Sequence, residues 1–203
     1  MISYAEQIKN KIGKADPGKV FIANDFLEIA SYETVRKTLN RLVNDKKISR
    51  IISGFYHDPE YSELIKEYAA PSMHELAIAI ARKYNWNIAP YAGTALNLLG
   101  LSTQVPSKWT YISSGRNKEY QVGKSILVFK KVKLGEIANM SLKTATVIQA
   151  IKALGKDGVD KKDIQIIRSN LTQKEKTELM EDSTAVASWI YEIIREICEG
   201  KDE

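Results

Sequence analysis

The sequence predicts an α+β fold in two parts: a small N-terminal module of helices closed by a β-hairpin, and a larger, mostly helical domain around a small β-sheet. Three observations predict it. Apolar residues recur at helical spacing near both ends of the chain. Short β-rich segments flank a Ser-Gly turn at residues 48–57. Further alternating segments lie between residues 109 and 130. The module is assigned to residues 1–60 and the second domain to residues 61–203, with Asp58-Pro59 as the close of the first.

The elements follow in order. Ala5, Ile8 and Ile12 form one stripe of a first helix that stops at Gly13. Asp16-Pro17-Gly18 is a turn, and Val20-Phe21-Ile22 a short strand. Asn24 is placed to cap a second helix through Ile29, and Ser31 to cap a third over Tyr32–Asp45. In that third helix Val35, Leu39 and Leu42 share the inner face. Tyr32, Glu33, Arg36, Lys37, Asn40 and Arg41 share the outer one. Ile48–Ile52 and Phe55–His57 then pair around Ser53-Gly54. Helix, strand, helix, helix and hairpin are together the pattern of a winged helix-turn-helix.

A recognition helix needs groups that reach base edges and groups that neutralise phosphates. Arg bridges guanine O6 and N7, and Asn bridges adenine N6 and N7. Arg36, Asn40 and Arg41 have these types. Lys37, Lys46, Lys47 and Arg50 suit phosphates, and Tyr56 is placed to pack on the backbone from the wing. Ser31 and Tyr32 complete the expected DNA-facing set. Between Arg36 and Arg50 six basic residues face one acid, giving +5 within a chain whose net charge is also +5. A solvated helix face, or a winged helix serving as a protein-interaction module, is the alternative.

In the second domain, Tyr61–Lys83 reads as helix broken at Pro71, with Ser72 as a cap and a buried run Leu76–Ala81. Residues 85–90 read as a connection, and Tyr91–Ser102 as a short helix ended by Gly100. Trp109–Ser113, Tyr120–Val122 and Ser125–Lys130 read as strands. The pattern turns helical from Gly135, with helices at Leu142–Leu154, Lys161–Asn170 and Ala185–Cys198, broken at Gly155–Gly158. A second basic stretch, Arg116 to Lys133, carries six bases against one acid. It suits either nucleic acid or strand edges guarded by lysine. From Lys174 on, nine acids face four bases.

Catalytic chemistry is not expected. His57 and His74 are the only histidines, and no His/Cys/Asp cluster has metal-ligand spacing. No P-loop or dinucleotide fingerprint occurs. Gly93-Thr94-Ala95-Leu96 looks like the glycine turn of nucleotidyltransferases but lacks the paired aspartates that would follow it. Neither a cofactor nor a metal is therefore expected. Cys198 is the single cysteine and reads as a packed thiol. With no apolar run of spanning length, no secretion signal at the N-terminus and no intramolecular disulfide possible, a cytoplasmic protein without membrane contact is expected.

The chain resembles the AbiEi-type antitoxins of type IV toxin–antitoxin systems, which act in abortive infection as a phage defence. The resemblance lies in Gly18-Lys19-Val20-Phe21 through the helix Tyr32–Asp45 to Ser53-Gly54-Phe55-Tyr56. It lies also in Gly93-Thr94-Ala95-Leu96-Asn97-Leu98-Leu99-Gly100-Leu101-Ser102-Thr103-Gln104-Val105-Pro106 with the strand after it. It implies an autoregulator that binds inverted repeats in its own promoter as a monomer or dimer. It implies as functional partner a nucleotidyltransferase-like toxin, with no stable complex required. Recognition-helix roles then fall on Thr34, Arg36, Lys37, Asn40 and Arg41, and wing roles on Arg50 and Tyr56.

Overall fold

A computed structural model of the chain describes residues 3–63, 66–133, 137 and 140–200. The fold is α+β, and the described residues form two compact units, Met1–Asn85 and Trp86–Glu203. The first unit thus extends past the turn at Asp58-Pro59 and takes in the helix at residues 73–84.

In the first unit, helix α1 (Tyr4–Gly13) starts at Ser3, whose Oγ accepts from the Glu6 amide. Strand β1 (Val20–Phe21) leads into a 3-10 helix at Ala23–Phe26. The expected second helix, capped by Asn24, is therefore a single tight turn that begins two residues earlier, after Ile22. Its lead-in is held by Asp25, whose carboxylate accepts from the Ile22 amide at 2.8 Å. Helix α2 (Tyr32–Asn44) follows, then strands β2 (Ser49–Ile52) and β3 (Phe55–His57). The three strands form an antiparallel sheet in the order β1-β3-β2. A register shift between Arg50 and Ile52 adds a bulge to the hairpin, which increases its twist. The element order is compatible with a winged helix-turn-helix.

One apolar core holds these pieces together. Ile8 and Ile12 of α1, Phe21, Phe26, the α2 stripe Val35, Leu39 and Leu42, Ile48 and Tyr56 all pack in it. Burying a side chain of this size stabilises the unit by about 1.5–3 kcal/mol, so the inner face of α2 fixes which face looks outward.

Tyr61–Ser62 and Glu67–Tyr68, expected within a helix, form instead a short antiparallel pair, β4 (Tyr61–Ser62) and β5 (Glu67–Tyr68). The rings of Tyr61 and Tyr68 meet edge to face at 5.2 Å across it, a cross-strand contact that a helix would break. Leu64 and Ile65, part of the same expected helix, lie outside the described residues. Helix α3 (Met73–Tyr84) is capped by Ser72 as expected, and Leu76, Ala77, Ala79, Ile80 and Ala81 are buried. Arg82 ties α3 to the first sheet by donating to the Val20 carbonyl at 3.1 Å and to Asp25 at 2.8 Å.

The second unit sets a four-stranded sheet, order β6-β7-β9-β8, beside a group of helices. Strands β7 (Lys108–Ser113), β8 (Lys118–Val122) and β9 (Ser125–Lys131) stand where the alternation placed them. β9 lies parallel to β7 and antiparallel to β8. Strand β6 (Ile88–Pro90), expected as a connection, pairs antiparallel with β7 and ends in a proline at the sheet edge. Helix α4 (Gly93–Leu98) is short. Helix α5 (Leu142–Leu154), capped by Ser141, is buried continuously from Thr144 to Ile151 and forms the centre of the unit. The onset of helical pattern expected at Gly135 falls outside the described residues.

Helices α6 (Lys161–Ser169), α7 (Gln173–Asp182) and α8 (Ser188–Glu199) close around α5 through Ile164, Ile167, Leu179, Ile190, Ile194 and Ile197. The buried Arg168 donates to the carbonyls of Glu196 and Ile197 at 2.8 and 3.1 Å, placing a cation on the C-terminal end of α8.

Candidate nucleic-acid interface

Helix α2 begins at Ser31, whose Oγ accepts from the Thr34 amide and shares a 3.0 Å hydrogen bond with the Thr34 hydroxyl. Both residues of the expected DNA-facing set thus also serve to start the helix. Beyond them Tyr32, Glu33, Arg36, Lys37 and Arg41 are exposed in one outer surface. Glu33 accepts from Arg36 at 3.1 Å and lies 3.7 Å from the Lys37 ammonium. A carboxylate in the first turn also suits the positive end of the helix. These pairs orient the two cations while leaving both side chains more than half exposed, 54% and 75%.

The middle of the helix is braced to the hairpin. Asn40 Oδ1 accepts from the Arg50 guanidinium at 2.7 Å and from the Tyr56 hydroxyl at 3.3 Å. Because arginine can only donate, the Asn40 atom facing it is the oxygen, which fixes the amide orientation. Arg50 and Tyr56 stand opposite each other in the β2–β3 register, and the guanidinium lies 5.8 Å from the Tyr56 ring centre. Two consequences differ from the sequence expectation. The two-bond contact with adenine needs the Asn40 carbonyl, which is already occupied, so only the amide N–H groups remain for an outside acceptor. The Tyr56 ring, expected against the DNA backbone, is 4% exposed and packs in the core with its hydroxyl turned to Asn40. It positions Asn40 and, across the hairpin, Arg50.

At its C-terminal end α2 closes with a Schellman pair: the Lys47 amide donates to Leu42 O at 2.9 Å and the Lys46 amide to Val43 O at 3.0 Å. Lys46 therefore takes the left-handed position, with φ 55°, that glycine usually fills. Both lysine side chains are exposed, so the expected phosphate-facing pair is presented by the helix stop itself.

One cation of this surface was not singled out by the sequence. Lys83, in the last turn of α3, sits 4.7 Å above the Phe55 ring beside the Gly54 turn of the hairpin. With Tyr32, Arg36, Asn40, Arg50 and Ser53 it lines a cleft of about 290 Å³ that has no acidic residue in its wall. The signal in the sequence was slight: a lysine one turn after a buried run, 29 residues beyond the wing glycine.

Elsewhere the six basic residues of the stretch Arg116 to Lys133 are exposed but divided. Lys118 pairs in register with Phe129, next to Lys130 and Lys131, whereas Lys124 sits at the β8–β9 turn at the other end of the hairpin. Lys118 lies over the Tyr120 ring at 5.7 Å, and Lys130 over Tyr91 at 5.2 Å. The Gly93-Thr94 segment serves the fold: Thr94 is buried and its hydroxyl accepts from the Thr110 amide at 2.9 Å. His57 is buried, and loss of solvation pushes its pKa below the ordinary range, opposed by Asp58. Burial likewise raises the Cys198 thiol, which donates to the Lys176 carbonyl at 3.6 Å. Among the described residues no three His, Cys, Asp or Glu side chains gather as a metal site, and no helix is long and apolar enough to cross a membrane.

Comparison with curated proteins gave no match. Among solved structures, the chain is similar to one described as the crystal structure of RV2827C protein from Mycobacterium tuberculosis. That likeness has 10% identity and a TM-score of 0.42 over 97% of this chain and 76% of the other, a level that decides nothing about fold or function. Residues 7–179 match a family described as "Family of unknown function (DUF6088)". With that match running from α1 into α7, the chain belongs to the DUF6088 family.

Proposed function

We propose that the first unit is a winged helix-turn-helix that binds double-stranded DNA, and that the chain represses its own operon by binding promoter inverted repeats. The observation that supports this most is the surface of α2, exposed and basic at its N-terminal half and braced to the hairpin through Asn40, Arg50 and Tyr56. Tyr32, Arg36 and Arg41 face the base edges, with Lys37 toward the phosphates. Lys46, Lys47 and Arg50 take phosphates, which position the protein without reading sequence. The chain is monomeric or dimeric on DNA.

The resemblance to AbiEi-type antitoxins extends the reading. In it the second unit counteracts a nucleotidyltransferase-like toxin without a stable complex, the protein is cytoplasmic and bears no catalytic site, and no cofactor is involved.

The test is a mobility-shift titration of the full chain on the DNA upstream of its own gene, with a scrambled duplex as competitor, at two salt concentrations. Retention of the upstream duplex at the higher salt is expected, and Arg36→Ala should then lose about 1–3 kcal/mol of discrimination. Equal competition by the scrambled duplex would replace the repressor reading with a sequence-indifferent grip on nucleic acid. Growth rescue on coexpression with the toxin tests the second role.

A further inference from the structure

The cleft between α2, the hairpin and α3 has a composition that the recognition helix alone does not explain. Three cations, Arg36, Arg50 and Lys83, line it with the Asn40 amide and the Ser53 hydroxyl, and no carboxylate stands in its wall. Grouping like charges in one depression is unfavourable by itself and raises its affinity for an anion. Each cation is also held in place. Arg36 is oriented by Glu33 and Arg50 by the Asn40 carbonyl. Lys83 rests on the Phe55 ring, where the missing side chain of Gly54 leaves room: a Cβ at that glycine would stand 3.0 Å from Nζ. Gly54 itself has φ 81°, so the turn brings bare backbone to the lysine. The hairpin contributes a single cation, Arg50, between Ser49 and His57. Lys83 supplies the second charge at the wing from a helix that lies outside the helix-turn-helix.

We propose that this cleft seats one phosphate of the DNA backbone between Arg50 and Lys83, with Arg36 on its α2 side left to the base edges, and that Lys83 is a DNA contact carried by α3. The inference rests on the DNA-binding reading above and adds to it a residue and a position. Because phosphate carries no sequence information, Lys83 contributes to every duplex equally. Removing one phosphate contact lowers the salt slope of log K by about 0.9, which is about eightfold in affinity at 0.1 M salt when 1 M is the reference.

The experiment measures binding of the full chain to its upstream duplex and to a random duplex by fluorescence anisotropy across a salt series, for wild type, Lys83→Gln and Lys83→Arg. Expected is a slope about one unit shallower for Lys83→Gln on both duplexes, an unchanged ratio between them, and restoration by Lys83→Arg. An unchanged slope in Lys83→Gln overturns the seat while leaving the DNA-binding reading intact. So does a slope lowered equally in both variants, since charge would not be its cause. If Lys83 only packs on Phe55, Lys83→Gln lowers the melting temperature and leaves the slope alone, which also refutes the seat. A wild-type chain that binds neither duplex overturns both proposals.

Discussion

Replacing Asn40 with alanine separates two roles that its position allows. If Asn40 is a brace, Asn40→Ala strips the acceptor from the Tyr56 hydroxyl, in a residue only 4% exposed, and from the exposed Arg50. An unsatisfied hydroxyl at such a site costs about 1–3 kcal/mol, whereas an exposed guanidinium turns to water at little cost. The sum is about 1.5 kcal/mol, and a unit of this size loses about 4–8 °C in melting temperature per kcal/mol. Tyr56→Phe removes the donor and keeps the ring, so it costs less, about 0.5–1 kcal/mol. The double variant should then be scarcely worse than Asn40→Ala alone, giving a coupling of about 0.5–1 kcal/mol. Urea unfolding of the three variants, followed by circular dichroism, measures this cycle. Additivity within about 0.3 kcal/mol refutes the brace. So would an Asn40→Ala variant of unchanged stability that has lost its preference for the upstream duplex; Asn40 would then read a base directly.

Further outcomes are specific. Lys46→Gly relieves a left-handed lysine and should stabilise the chain by about 0.5–1 kcal/mol while weakening binding to any duplex; thermal melts and anisotropy read the two effects separately. Ser183 is fully buried and its hydroxyl has no partner among the described residues, so Ser183→Ala should be neutral or stabilising by up to about 1 kcal/mol in urea titration. His57 has a folded pKa below its ordinary 6.5 because it is buried, so the unfolded chain binds the proton more tightly. Its contribution is present in full above pH 6.5 and is lost as pH falls from there toward the folded value; the melting temperature of His57→Gln should vary less over that window. Glu33→Gln removes the partner of Arg36 and Lys37. It should tighten binding to random DNA and lower the preference for the upstream duplex in competition assays.

Periodicity made the long elements legible. The α2 stripe, the buried run of α3 and the bounds of α5 all follow from apolar spacing and a serine cap. What escaped was decided by contacts distant in sequence or by polar caps. Residues 61–68 have helix-like composition, but Tyr61–Ser62 and Glu67–Tyr68 pair as strands, with the two tyrosine rings facing across the pair. Ile88–Pro90 is too short to announce itself and becomes a strand only because β7 offers it a partner. Helix α7 buries only Leu179, so no apolar stripe marks it; the capping box of Thr172 and Glu175 starts it instead. At the candidate interface, side-chain type told which residues suit DNA, but not which are already engaged. The inward turn of Tyr56 and the occupied Asn40 carbonyl come from the hairpin register, and Lys83 from the packing of α3.

These engagements divide the surface of α2 by energy. The pairs of Glu33 with Arg36 and Lys37 are exposed, and such pairs are worth about 0–1 kcal/mol. A good two-bond contact from arginine to guanine is worth about 1–3 kcal/mol of discrimination. The exposed pair is thus weak enough to be exchanged, and on the proposed reading the carboxylate keeps the guanidinium extended until a base edge replaces it. The Asn40 cluster follows the opposite logic. Tyr56 is 4% exposed as a residue, so releasing Asn40 to a base would take the acceptor from a part-buried hydroxyl and offset part of what a new contact adds. The N-terminal half of the helix is thus free to be rewritten by a ligand, while the half facing the hairpin is held. Sequence preference should reside in Tyr32, Arg36 and Arg41, and the grip on the backbone in Lys37, Arg50 and the lysines around it.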